Sequence, residues 1–210
     1  DMEAIAASDL LITYTCDLRP SPDEERTLRR FVEAGGRWLA LHATNAFLDF
    51  AADGIHCPRT HDLFMDTLGS RFRSHPPLAP YRVEIADPEH PLVAGLEPFE
   101  TTDELYLHEY YGELTPLLTT RWSGRFEGGY VENEWPNDDP RLVAYTKEIG
   151  AGAVLYLTLG HCHGKYDMRP LVEIAEPARG SWELPVFYEL LRRGIAWAKE
   201  PTRARANGVE

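Results

Sequence analysis

The stretch Arg37-Trp38-Leu39-Ala40-Leu41-His42-Ala43-Thr44-Asn45 places a histidine at the end of an apolar run, with small and polar residues after it. Ligands of open α/β sheets gather at the carboxyl ends of strands, so His42 stands where chemistry is usually done. The turn offers neither the serine nor the thiol that a nucleophile elbow of the G-x-S-x-G kind needs. Two more histidines occupy turns, His75 in Ser74-His75-Pro76 and His161 in Leu159-Gly160-His161. Imidazole is the commonest metal ligand and ordinarily titrates near neutrality. Three uses are therefore open for each: metal ligation, proton transfer, or hydrogen bonding to loop carbonyls. There is no H-E-x-x-H helix and no local ligand cluster, so a metal site would have to be assembled from distant segments. In His161-Cys162-His163, alternate residues of an extended segment share a side while Cys162 points away, and at most one of the two histidines is expected to ligate.

Asp103-Glu104-Leu105-Tyr106 puts two carboxylates beside a phenol. If Glu104 and Tyr106 share a strand face, they can bind a polyol or support general acid catalysis, since partial burial raises a carboxyl towards neutrality. A solvated strand end is the plain alternative. The aromatics Trp122, Tyr130 and Trp135 lie in a long polar segment, where they either stack on sugar rings or anchor the loop.

These residues need a scaffold, and the sequence describes one. Asp9 to Thr15 is a dense apolar run of the kind that forms strands covered on both faces. Ser21-Pro22-Asp23-Glu24 supplies an N-cap, a proline at the first helical position and a capping-box glutamate, and Leu28, Phe31 and Val32 form the buried stripe. Gly35-Gly36 ends that helix before the strand leading to His42, which makes a βαβ unit. A second helix is predicted from near Thr60 to Gly69. Further strands are predicted at 81–85, 104–106, 114–119, 141–146 and 153–159, the last two forming an antiparallel hairpin across Gly150. The segments 122–140 and 162–180 read as loops. Residues 182–199 read as an amphipathic helix, in which Gly194 suggests close packing on a neighbour.

At 210 residues with 43% apolar composition, one domain over residues 1–200 with a polar tail at 201–210 is the economical reading. A net charge of −13 repels phosphate backbones and anionic bilayers, so neither nucleic acid nor a membrane is an expected partner. Cys16, Cys57 and Cys162 form no C-x-x-C pair, and reduced thiols in a cytoplasmic protein fit best.

The block Leu68-Gly69-Ser70-Arg71-Phe72, Ser74-His75-Pro76, Asp87-Pro88-Glu89-His90-Pro91-Leu92, Gly95-Leu96 and Asp103 to Tyr106 resembles the trehalose-utilisation, ThuA-like family. The Gly35-Gly36 to His42 segment, Gly152 to His161, and Gly194 to Ala198 resemble it too, in the expected order over most of residues 9–199. The resemblance implies a flavodoxin-like α/β fold of the class I glutamine amidotransferase-like type, a mostly parallel sheet with helices on both faces and an antiparallel hairpin. It places His42 at or beside the former nucleophile elbow. Without cysteine there, glutamine hydrolysis through an acyl-thiol intermediate is not expected.

The implied function is carbohydrate utilisation, with a disaccharide or keto-sugar derivative as substrate. A ketone acidifies the neighbouring C–H, and cleavage can then follow proton abstraction. The implied catalytic residues are His42, Glu104 and Tyr106, with Asn45, Asp103 and Trp135 as substrate contacts. A divalent metal, zinc or similar, would be held by His42, His75 and His161, and no nucleotide cofactor is expected. A homo-oligomer is compatible with this reading. A noncatalytic sugar-binding or regulatory module on the same fold is the alternative, and a hydrolase using Cys57 or Cys162 is a third. The family ordinarily has a strand, a loop bearing glycine and histidine, and a helix before the segment equivalent to 9–15. The first strand of a flavodoxin-like sheet is central, so a gap in the sheet is expected here, filled by a longer gene product or by another chain.

Overall fold

The structure is a computed structural model that describes residues 1–169 and 173–200; the predicted polar tail lies outside the described residues. Asp1 caps a short helix that the sequence reading lacked, α1 (Met2–Ala7), accepting from the amides of Glu3 and Ala4. It leads into β1 (Leu10–Tyr14). The Ser21 hydroxyl and the Glu24 carboxylate form the predicted capping box of α2 (Pro22–Glu33), and Gly35 follows its end at φ +102°. Then come β2 (Arg37–Leu41), the hairpin β3 (Asp49–Ala51) and β4 (Gly54–His56), α3 (Asp62–Leu68) and β5 (Ser70–Ser74). The chain continues through β6 (Ala79–Ile85), β7 (Phe99–Asp103), β8 (Leu107–Tyr110) and β9 (Thr115–Arg121). A small ribbon, β10 (Gly124–Arg125) with β11 (Glu134–Trp135), lies within the predicted loop. The hairpin β12 (Pro140–Ile149) and β13 (Gly152–Leu157) forms as predicted. The last predicted helix is divided: a 3-10 turn at Gly180–Glu183 precedes α4 (Pro185–Ala198), which Pro185 opens at its first turn.

Seven strands form one mixed sheet in the order β1-β2-β13-β12-β9-β6-β7. β1, β2 and β13 run parallel, and the remaining neighbours pair antiparallel. The central strands are covered on both faces, which explains their continuous apolar sequences. Trp38, Ala40, Val154 and Tyr156 pack with Phe31, Val32, Phe64 and Leu68 on the α2–α3 side. The alternate residues Leu39, Leu41, Leu155 and Leu157 pack with Phe187 and Leu190 of α4 on the other. A Cβ on Gly194 would meet Leu155 at 3.2 Å and Leu39 at 3.3 Å, so α4 does sit close to the sheet there.

Two expectations about β1 change. There is no gap between β1, β2 and β13, which are hydrogen-bonded in series. β1 is instead an edge strand, with Ile12 and Tyr14 each 44% exposed, and is not covered on both faces. No described helix is long and apolar enough to cross a membrane.

The predicted strand at 104–106 is also absent. β7 stops at Asp103, whose own carboxylate takes the Glu104 amide at 2.8 Å. A side chain that captures the next amide competes with the sheet ladder. The chain leaves the large sheet at this point, and β8 pairs with β5 in a separate ribbon. Residues 104–106 are the crossing.

Candidate functional site

β2 ends in a 3-10 turn over His42–Asn45, and His42 takes the left-handed backbone conformation at φ +49°. Such a conformation is costly for a residue with a Cβ and persists only where the surroundings impose it. Here the Tyr156 hydroxyl donates to the His42 carbonyl at 2.6 Å and accepts from the Asn45 amide at 3.1 Å. Thr44 donates to the Leu41 carbonyl at 2.8 Å. The turn is clamped from β13, and the His42 ring is aimed past the strand end.

Glu104 lies at the centre of what gathers there. Its Oε1 is 2.9 Å from His161 Nδ1 and 3.3 Å from His75 Nε2, and its Oε2 is 3.5 Å from His42 Nε2. All four side chains are less than a fifth exposed. The Tyr106 hydroxyl lies 3.2 Å from His42 Nε2, and its ring stacks on that of His42 with centroids 5.1 Å apart. Tyr14 stacks on His42 at 5.8 Å, and Tyr130 meets the His75 ring edge-on at 5.1 Å.

Hydrogen-bond bookkeeping assigns two tautomers. His42 Nδ1 is 3.1 Å from the Thr158 carbonyl, and His75 Nδ1 is 2.8 Å from the Pro76 carbonyl. A carbonyl only accepts, so both Nδ1 atoms carry hydrogen. In their neutral forms both rings therefore turn a bare Nε2 towards Glu104. His42, His161 and Glu104 each offer one donor atom, all within 4.8 Å of one another. Two imidazoles and a carboxylate form a donor set suited to zinc and similar divalent ions. Carbonyls behind ligating imidazoles are the usual means of orienting them. The residues present thus fit a divalent metal, with Glu104 in the ligand group and His75 beside it.

The environments separate the charges. Burial alone would raise the Glu104 carboxyl, but the facing imidazoles, His75 foremost, and the His161 hydrogen bond hold it down at about 2. Burial works against charge on His161, yet the Glu104 hydrogen bond and charge outweigh it and raise its pKa. At His42 burial prevails and lowers the pKa, despite Glu104 and Asp103. Burial, reinforced by Glu104, pushes the Tyr106 phenol well above its ordinary value, so it remains a hydrogen-bond donor. The Cys57 thiol is pushed up to about 12, mainly by burial, which leaves almost no thiolate at neutral pH.

Asp103, Asn45 and Trp135 hold other positions. Asp103 is 1% exposed, and its oxygens accept from the amides of Glu104, Gly160, His161 and Ser181 and from the Ser181 hydroxyl, at 2.5–3.1 Å. Those bonds tie the ends of β7 and β13 to the 3-10 turn before α4, which fixes Glu104 beside His161. Gly180 allows this approach, since a Cβ there would lie 2.5 Å from the His161 carbonyl oxygen. The Asn45 amide donates to Ser70 Oγ at 2.7 Å and to the Ser70 carbonyl at 3.2 Å, and is fully buried. Trp135 donates to Ser74 Oγ at 3.1 Å and packs against the guanidinium groups of Arg73 and Arg141, in a cluster with Leu105, Leu107 and Phe126.

His108 was singled out by no motif. It lies on β8 between Phe72, Tyr106, Tyr110 and Tyr156, and neither ring nitrogen has a hydrogen-bond partner among the described residues. Burial lowers its pKa to about 3. An ordinary imidazole titrates near 6.5, so the unfolded chain takes up a proton that the folded chain refuses, and stability is lost as pH falls from about 6.5 towards 3. We expect His108→Leu to remove a dependence of about 1.4 kcal/mol per pH unit over that window. Urea unfolding of both proteins at pH 7, 5 and 4 checks this; parallel pH profiles would contradict it.

Residues 1–198 match the family described as ThuA, trehalose utilisation. The chain belongs to the ThuA family. Among curated proteins none matches it. Solved structures share its fold. A ThuA-like protein of Bacteroides uniformis is 18% identical with a TM-score of 0.64, over 97% of this chain and 74% of that one. A ThuA-like protein of Parabacteroides merdae is 18% identical with a TM-score of 0.56, over 97% and 76%. A cytoplasmic protein of Salmonella typhimurium is 14% identical with a TM-score of 0.53, over 94% and 74%. Membership of the ThuA family supports a role related to trehalose utilisation, on a flavodoxin-like α/β fold.

Proposed function

We propose that this ThuA family member is a cytoplasmic enzyme that cleaves a keto-disaccharide by proton abstraction beside the ketone, at the Glu104 cluster. The observation that carries this reading is the convergence of His42, His75 and His161 on one buried carboxylate at the strand ends. In their neutral forms His42 and His75 turn bare imidazole nitrogens towards that carboxylate, donor atoms of the kind a cation takes. His42, His161 and Glu104 would hold a divalent metal, which when bound polarises a substrate carbonyl as a Lewis acid.

The chain's own groups then divide the work. His75, whose Nδ1 hydrogen is committed to the Pro76 carbonyl, has Nε2 free to take the proton from the carbon next to the ketone. That C–H bond breaks and its electron pair forms an enolate. As the enolate re-forms the ketone, a C=C bond forms to the anomeric carbon and the glycosidic C–O bond breaks with its pair on the leaving sugar oxygen, which takes the proton back from His75. Tyr106, kept protonated by burial, donates a hydrogen bond to substrate oxygen and restrains the charge that develops there. The aromatic rings of Tyr14 and Tyr130 border the imidazoles and offer apolar faces to a sugar.

The opposite pulls on His42 and His161 favour a second reading, in which the same site acts without metal. A neutral His42 then serves as base and a protonated His161 as acid, the pattern expected where neighbouring groups are driven apart in pKa. Sugar release from 3-keto-trehalose, with trehalose itself untouched, supports an enzyme of either kind. Saturable binding of the keto-sugar without turnover would leave the noncatalytic sugar-binding module.

A further inference from the structure

His42 and His75 are each pinned by a backbone carbonyl at Nδ1 and present Nε2 to Glu104. His161 is mounted the other way round, with Nδ1 towards Glu104 Oε1 at 2.9 Å. Among the described residues no carbonyl is hydrogen-bonded to its ring. His161 Nε2 instead meets His163 Nδ1 at 2.8 Å, and His163 Nε2 lies 2.8 Å from the Glu176 carbonyl.

The proton positions follow from the far end. The Glu176 carbonyl only accepts, so His163 Nε2 carries hydrogen. A neutral His163 then has a bare Nδ1, and the partner that faces it, His161 Nε2, has to donate. The Glu104 carboxylate only accepts as well, so with no cation present His161 carries hydrogen on both nitrogens, Nδ1 donating to Glu104 Oε1 and Nε2 to His163. A cation in the shared space would take the place of the Nδ1 hydrogen, while His163 holds the one on Nε2. The His163 backbone is itself fixed by a reciprocal pair with Ala178, His163 N to Ala178 O at 2.9 Å and Ala178 N to His163 O at 3.0 Å. His163 therefore does for His161 what the Thr158 and Pro76 carbonyls do for His42 and His75.

We propose that His163 is a positioning residue which sets the His161 tautomer, so that His161 offers Nδ1 to the space shared with Glu104 and His42. As a statement about metal affinity this rests on the reading of that space as a cation site; as a statement about the tautomer it does not. A residue that sits behind a ligating imidazole commonly changes metal affinity by roughly 10–100-fold when removed.

The test is nitrogen-15 NMR of the histidine side chains in chelator-treated protein at neutral pH, followed by titration with zinc alone. Wild type is expected to show hydrogen on His161 Nε2 both before and after zinc is added, and a bare Nδ1 in the zinc-bound protein. His163→Leu removes the acceptor, and His161 is expected to keep its hydrogen on Nδ1 towards Glu104 while zinc binds roughly 10–100-fold more weakly. His163→Asn, whose Oδ1 can stand in for the imidazole Nδ1, is expected to restore both. The proposal is overturned if wild-type His161 carries no hydrogen on Nε2, or if its Nε2 protonation is the same in His163→Leu as in wild type. Should His163→Leu fail to fold, wild type and His163→Asn still decide. Should wild type bind no zinc while the tautomer follows residue 163, the cation site falls and the positioning role stands.

Discussion

Glu104→Gln is expected to reduce keto-disaccharide cleavage by about 10²–10⁴-fold, the usual worth of the acid–base groups that it holds in place, and to abolish zinc binding. The substitution preserves shape and removes one charge. That charge is what His161, His75 and His42 surround at 2.9, 3.3 and 3.5 Å. A neutral amide would present an N–H₂ to imidazole nitrogens on one side and a weaker oxygen on the other, so the cluster loses both its anionic ligand and its electrostatic centre. Initial rates and zinc titration on folded Glu104→Gln decide the matter. A variant that retains wild-type turnover would remove Glu104 from the chemistry.

Asp103→Ala is expected to cost upwards of about 4 kcal/mol of folding stability, in the range reserved for breaking a buried hydrogen-bond network. The amides of Glu104, Gly160, His161 and Ser181 and the Ser181 hydroxyl all lose their acceptor together. Only the hydroxyl has a ready replacement, Thr101 Oγ1 at 2.9 Å. Asp103→Asn keeps one accepting oxygen and should fall between the two. Urea unfolding measures both, and a loss below about 1 kcal/mol for Asp103→Ala would contradict the five-bond account. Because these bonds join the segments bearing Glu104 and His161, any Asp103→Ala protein that folds should also bind zinc more weakly than wild type.

Much of the scaffold was legible because its signals are local. Ser21, Pro22 and Glu24 announced α2, and the short glycine-containing link between β12 and β13 announced their hairpin. Apolar runs marked β2 and β13 as strands, while the reading of double coverage was given to β1, which lies at the sheet edge. The break at Asp103 was not legible, since it depends on a carboxylate turning back to the next amide and not on residue type. The edge position of β1 depends on sheet order, which no local window contains.

The site divides along the same line. His42, His75 and His161 were legible as candidates from their turns, and Glu104 and Tyr106 from their spacing. Their meeting was not, because it requires β2, β7 and β13 to end at one place. Glu104 as the common centre of three imidazoles emerged only with the fold. Asp103 read as a substrate contact because adjacent carboxylates look alike in sequence, whereas burial commits its oxygens to backbone amides. His161-Cys162-His163 read as one ligand and one spare histidine, and the ring-to-ring hydrogen bond gives the second histidine a different task. His108 carried no signal, since its burial depends on the β5–β8 register that sets it opposite Phe72.

The most direct test of the account is to incubate wild-type protein with 3-keto-trehalose in deuterium oxide and follow the carbon next to the ketone by NMR. The account predicts loss of that C–H signal together with release of the second sugar, in wild type and not in Glu104→Gln. Sugar release with the C–H bond intact would contradict proton abstraction, and keto-sugar that binds but remains unexchanged and uncleaved would contradict catalysis at this site.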